Sequence, residues 1–185
     1  MAIRDFQLAL KARGFDPGAI DDTWGPATER AAMAALAAVA TPEIDPQLVA
    51  DLKRDEGLRL DAYPDPLSGG DPWTIGYGHT GPEVKRGLRI TMAQAEEWLV
   101  QDIVKHNAEL DKHLPWWRSL SPNRQRVLAN MVFNLGWTKL SGFKNTLRAM
   151  QEGRYGDAAD GMMASLWAKQ VGARAQRLTL LMRNG

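Results

Sequence analysis

A chain of 185 residues, 44% of them hydrophobic, is long enough to bury one sizeable core with a small appendage, and a net charge of +1 supplies no field for holding nucleic acid. With no cysteine, disulfide staples, thiolate metal sites and cysteine nucleophiles are all excluded. The opening Met1-Ala2-Ile3-Arg4-Asp5 lacks an apolar signal core, and the longest apolar run, Ala31 to Ala40, is far short of the ~20 residues of a membrane span, so cytoplasmic synthesis without a leader or stable membrane insertion is expected.

Ile3, Phe6 and Leu10 recur on one face of a predicted helix over residues 3–13, and Gly14 stands where a helix stops. Turn formers crowd the passage from Phe15 to Gly25, after which Pro26 suits the first position of a second helix running to about Val39. The run of Phe6, Gly14-Phe15, Pro17-Gly18, Asp21, Trp24-Gly25-Pro26 and Thr28 resembles the small three-helix type of peptidoglycan-binding domain. This resemblance covers about the first forty residues and implies a wall-binding module over 1–40. It departs at its end, where Ala34-Ala35-Leu36-Ala37-Ala38-Val39 replaces the usual aromatic-Gln step. The residues alone also fit a two-helix packing element without a ligand.

Residues 41–45 read as a short linker, in which Asp45 caps and Pro46 opens a helix whose apolar face is Leu48, Val49 and Leu52. Gly57 ends that helix just after Glu56. From Arg59 to about Arg89, β-favouring pieces such as Trp73-Thr74-Ile75 and Leu88-Arg89-Ile90 predict a small antiparallel sheet. Thr91-Met92-Ala93-Gln94 has the form of a capping box, and Ala95, Leu99, Ile103 and Leu110 mark the buried stripe of a long helix behind it. Ser121-Pro122 opens a helix with a wide apolar face of Val127, Leu128, Met131, Val132 and Leu135, closed by Gly136. Further helices are predicted over about 143–150, 157–167 and 173–182. The fold class is α+β and mostly helical, with the sheet confined to one lobe.

The stretch from Glu56 to His79 carries the chemistry. Cleaving a glycosidic bond takes one carboxyl to protonate the leaving oxygen and a second to act at the opposite face of the sugar. Glu56 stands at the negative end of its helix beside Leu58 and Leu60, an environment that disfavours a carboxylate, whereas Asp65 sits in a wetter, Pro-rich turn that favours one. This division of labour parallels a known lysozyme pattern. Thr74 adds a hydroxyl able to fix a water beside Asp65.

The spacing of Glu56, Asp65 and Thr74, set in Asp-Glu-Gly-Leu-Arg-Leu and Thr-Ile-Gly-Tyr-Gly-His, resembles that of the phage lysozymes of glycoside hydrolase family 24, of the T-even type. The likeness continues through Asn130-Met131-Val132-Phe133-Asn134-Leu135-Gly136, Gly142-Phe143, Asn145, Leu147-Arg148, Ala158-Ala159 and Trp167, spanning roughly residues 46–185. It implies a two-lobed lysozyme-like domain that hydrolyses the β-1,4 bond between N-acetylmuramic acid and N-acetylglucosamine of bacterial peptidoglycan with inversion. Glu56 is then the acid, and Asp65 with Thr74 positions the water. Arg174 falls where the family pairs an arginine with the glutamate, and Asn134 and Trp167 fall in or beside the substrate cleft. The implied protein is a monomeric phage endolysin, reaching the wall after the membrane is permeabilised. In one respect the chain differs: eight residues rather than five separate Asp65 from Thr74, which makes Asp71 a rival carboxylate if the longer turn does not bulge away. A lytic transglycosylase would need Glu56 alone, and a non-catalytic wall-binding virion protein would need none of the three.

Other signals carry less. Gly76-Tyr77-Gly78-His79-Thr80-Gly81 has the letters of a dinucleotide fingerprint but is followed by Pro82 rather than by a helix. His79 reads as a supporting, hydrogen-bonded residue. His106 and His113 lack a second ligand at metal spacing, so neither metal nor cofactor is expected. Arg174, Arg177 and Arg183 also fit a solvated helix face, or a cationic surface that attracts a negatively charged wall.

Overall fold

A computed structural model describes residues 2–40, 44–64 and 70–185. Asp65, the predicted base, and most of the linker at 41–43 therefore lie outside the described residues. The chain divides into two units, Met1–Glu43 and Ile44–Gly185.

In the first unit, α1 (Ile3–Ala12) and α2 (Pro26–Ala40) bury Leu10, Ala31 and Ala35, with Phe6, Phe15 and Ala32 packed around them. So small an apolar cluster is supplemented by a buried amide. Gln7 is 1% exposed. Its Nε2 donates to the Thr23 carbonyl at 2.9 Å and to Thr28 Oγ1 at 3.1 Å, while its Oε1 accepts from the Asp22 amide at 3.2 Å. These bonds satisfy the loop between the helices from inside, as burial of its polar groups demands. Trp24 stacks on Phe6 at 5.6 Å and remains half exposed.

In the second unit, α3 (Pro46–Glu56) starts as its sequence predicts, Asp45 accepting from the Gln47 amide at 2.8 Å and Pro46 filling a position that needs no donor. It ends at Gly57, whose φ of +70° and ψ of 164° form a conformation open almost solely to glycine. The chain then enters a three-stranded antiparallel sheet, β1 (Arg59–Tyr63), β2 (Thr74–Gly76) and β3 (His79–Thr80), in the order β1-β2-β3. Tyr63 pairs with Thr74 and Thr74 with Thr80, so Thr74 lies on the central strand. Leu88-Arg89-Ile90 does not make a strand. It contributes a single bridge from Arg89 to Asp61, flanked by the bonds Ala62 N–H to Leu88 and Ile90 N–H to Leu60, because Thr91 immediately begins the next helix.

That helix, α4 (Met92–His113), buries Ala95, Leu99, Ile103 and Leu110 as the periodicity predicts. Only half of the capping box forms: Thr91 accepts from the Gln94 amide at 3.2 Å, while the Gln94 side chain turns outward to Glu97. A 3-10 turn at Trp117–Ser119 leads to α5 (Pro122–Leu140), in which Val127, Leu128, Met131 and Val132 are fully buried. Gly136, at φ +69°, leaves the helical conformation where the sequence places a stop, and one more short turn follows. Then come α6 (Lys144–Gln151), α7 (Tyr155–Met163), α8 (Leu166–Val171) and α9 (Ala173–Asn184). The single helix predicted over 157–167 is thus two, because Ser165 accepts from the Ala168 amide at 3.1 Å and starts a new one.

Two apolar clusters hold this unit. Leu48, Leu52, Tyr77, Ala95, Leu99, Ile103 and Ala129 join α3, the β2–β3 turn, α4 and α5. A larger one runs from Leu110 to Met182 through α5 to α9. No helix among the described residues is long and apolar enough to cross a membrane.

Candidate active site

Glu56 is the last residue of α3, and the glycine turn after it leaves its carboxylate at the helix end. One oxygen, Oε1, lies 2.7 Å from Nη1 of Arg174, the second residue of α9. The other faces the β2–β3 turn, since a β-carbon added at Gly78 would stand 3.9 Å from Oε2. The Arg174 side chain is 6% exposed and that of Glu56 20%, so the pair is largely screened from water while Glu56 keeps an open side.

Arg174 is itself held on three sides. Its Nε donates to Asn130 Oδ1 at 2.8 Å and its Nη2 to the Asn130 carbonyl at 3.2 Å. Asp55 Oδ2 lies 3.4 Å from the same Nε and accepts from Asn130 Nδ2 at 3.2 Å. Arg177, one helical turn further along α9, donates to Asp55 Oδ1. The three arginines read as a solvated face thus divide: Arg174 is buried, Arg177 pairs with Asp55, and Arg183 pairs with Asp160. Asp55, Asn130 and Arg177 are the residues around Glu56 to which sequence reasoning gave no role there. A signal existed for one of them, an asparagine amid the apolar run of α5, since a buried amide in such a setting must find partners.

Thr74 opens β2 opposite Tyr63, the residue two before Asp65, and its side chain is partly buried. Asp71 is exposed on the connection between these strands. His79 is turned elsewhere: Nδ1 is 2.7 Å from Asp102 Oδ2, Nε2 is 2.6 Å from Glu83 Oε1, and the ring stacks on Trp98 at 4.4 Å. That contact holds the Glu83 carboxyl below its ordinary range. His79 therefore ties the hairpin to α4. Asn134 and Trp167 meet each other, Trp167 Nε1 donating to Asn134 Oδ1 at 2.9 Å, with Phe143 edge-on to the indole at 6.3 Å. Trp167 lines an open groove of about 750 Å³ together with Leu135, Phe143, Asn145, Thr146 and Gln170. Among the described residues no group of three or more His, Asp or Glu side chains could hold a metal ion.

The geometry supplies a partly exposed carboxyl whose orientation is fixed by a buried guanidinium and whose second oxygen faces glycine backbone. Comparison with known proteins agrees. The family model described as phage lysozyme matches residues 53–183. The endolysin of Salmonella phage P22 is 36% identical over 124 residues, covering 64% of this chain and 78% of that protein. A probable T4-type lysozyme 2 of Dictyostelium discoideum is 28% identical over 159 residues, covering 72% of this chain and 92% of its own length. The pre-baseplate central spike protein Gp5 of Enterobacteria phage T4 is 31% identical over 158 residues, and there the match spans 72% of this chain but only 27% of the much longer spike protein. With the match running from the last turn of α3, where Glu56 stands, through Arg174 to the end of α9, the chain belongs to the phage lysozyme family.

Proposed function

We propose that the chain is an endolysin-type muramidase of glycoside hydrolase family 24, which cleaves the β-1,4 bond between N-acetylmuramic acid and N-acetylglucosamine in bacterial peptidoglycan and so lyses the host cell. The observation that carries this reading is the disposition of Glu56: one oxygen pinned by Arg174 at 2.7 Å, the other turned toward the glycine-rich hairpin where a sugar oxygen can approach. Glu56 delivers a proton to the leaving oxygen as the linkage breaks. Asp65 takes a proton from the attacking water, and the Thr74 hydroxyl orients that water. Attack from the face opposite the leaving group inverts the sugar carbon. Nothing in this sequence of steps calls for a cofactor.

The unit Met1–Glu43 acts in this proposal as the wall-binding module, with the exposed Trp24 ring offering a sugar-stacking surface. The enzyme works on the wall as a monomer once the membrane has been permeabilised.

Glu56→Gln is expected to abolish lysis of outer-membrane-permeabilised bacteria, a loss of roughly 10³-fold or more, while retention on sedimented walls is unchanged. Mass analysis of fragments released by the parent protein decides the reaction class. Reducing muramic ends support hydrolysis, anhydro ends make it a transglycosylase, and the absence of fragments overturns the enzymatic reading. Trp24→Ala is expected to lower wall retention several-fold without altering turnover of soluble fragments, and equal retention would remove the binding role.

A further inference from the structure

We infer that Asp55 is a positioning residue for the reaction, fixing Arg174 against Glu56 and sharing its charge so that Glu56 does not hold that cation alone. The inference rests on Glu56 being the acid. Asp55 adjoins it in sequence but faces the other way, and its side chain is 4% exposed. A carboxylate so buried is strongly destabilising unless paired, and here the pairing is specific. Arg177 and Arg54 reach Oδ1, Arg54 Nε at 3.3 Å, while Oδ2 takes Asn130 Nδ2 at 3.2 Å and lies 3.4 Å from Arg174 Nε. The Arg174 guanidinium therefore lies between two carboxylates, Glu56 at Nη1 and Asp55 at Nε.

Among the described residues, the charged groups linked to Glu56 are Arg174 of α9 directly, Asp55 of α3 through Arg174, and Arg177 of α9 and Arg54 of α3 one step further, through Asp55. From α5 comes the uncharged Asn130, and from the hairpin the backbone at Gly78. Two substitutions then act in opposite directions. Removing the charge of Asp55 leaves Arg174 to Glu56 alone, which strengthens its hold on the carboxylate form. Removing Arg177 makes Asp55 lean harder on Arg174, which weakens that hold.

The test is the pH–rate profile for release of reducing ends from soluble peptidoglycan fragments by the full chain. Asp55→Asn, which keeps shape and one acceptor, is expected to move the alkaline limb to lower pH by roughly half a unit or more and to lower kcat roughly tenfold with KM within about twofold. Arg177→Gln is expected to move the same limb to higher pH. Limbs that superimpose on the parent's, or that move in the same direction in both variants, overturn the inference. Should Asp55→Asn fail to fold, Arg177→Gln decides alone, since that side chain is 39% exposed. Continued hydrolysis by Glu56→Gln would instead overturn the muramidase reading itself, whereas an inactive Glu56→Gln beside unmoved limbs removes only the role of Asp55.

Discussion

Each nitrogen of the Arg174 guanidinium meets a partner inside the protein, among Glu56, Asp55 and both oxygens of Asn130. A guanidinium suits this place because its planar fork presents donors in several fixed directions, which an ammonium cannot do. Arg174→Ala takes from two carboxylates the cation they share, and breaking a buried pair in this way costs about 3–5 kcal/mol. The expected result in urea denaturation is a loss of that size, with Arg174→Lys recovering little of it. A loss under about 1 kcal/mol would mean that water replaces the guanidinium freely. Glu56 depends on the same residue for its orientation, so activity is expected to fall with stability in both variants.

At the level of elements, the hairpin is fastened to α4 by the buried Tyr77, which shares an apolar cluster with Ala95 and Leu99, and by one polar side chain, His79. β3 is two residues long, and two or three short strands hold poorly without packing on another element. His79 supplies this with bonds to Asp102 on α4 and to Glu83 just beyond β3, and with its stack on Trp98. His79→Ala is expected to cost about 1–3 kcal/mol by leaving the buried face of the junction unpaired. In an NMR titration, the Glu83 carboxyl is expected to move up toward the ordinary glutamate range, because the His79 bond is the largest cause of its depression. An unmoved Glu83 would show that the bond does not persist in solution. Since Thr74 lies on the strand beside β3, loosening this junction also blurs the site.

Across the whole molecule, the perturbed groups point to a stability plateau between neutral pH and the lysine range. Thr23, His79 and Arg118 respectively hold the carboxyls of Asp21, Glu83 and Asp111 below their ordinary values of 3.8, 4.5 and 3.8. The stability these carry is complete above those values and is lost as pH falls through the lower, folded ones. Burial pushes His106, beside Phe133, below its ordinary 6.5, so the unfolded chain takes up that proton first and stability begins to decline as pH drops below about 6.5. Glu96 raises Lys53 above 10.5, a contribution present below that value and lost as pH rises through the folded one. Urea midpoints are expected to be level from about pH 7 to 10 and to fall in two acid steps. His106→Gln is expected to erase the first step only. A profile with no change between pH 7 and 5 would remove His106 from this account.

The sequence by itself determined the elements whose causes are local: α3 between Asp45-Pro46 and Gly57, the stripe of α4, the Ser121-Pro122 start of α5 and its break at Gly136, and Glu56 at a helix end. Caps, periodicity and glycine conformation act within a few residues and leave marks of that length. The division of the predicted 157–167 helix at Ser165 was less legible, because a serine is read equally well as helix interior or as cap until its partner is known. Only the tertiary structure decided what surrounds Glu56. Its bond to Arg174 crosses 118 residues, that of Asp55 to Arg177 crosses 122, and that of Asn130 to Asp55 crosses 75. Ion pairs and amide bonds over such separations obey no periodicity. They exist because α3, α5 and α9 pack side by side, and burial there obliges each polar group to find a partner wherever in the chain it lies.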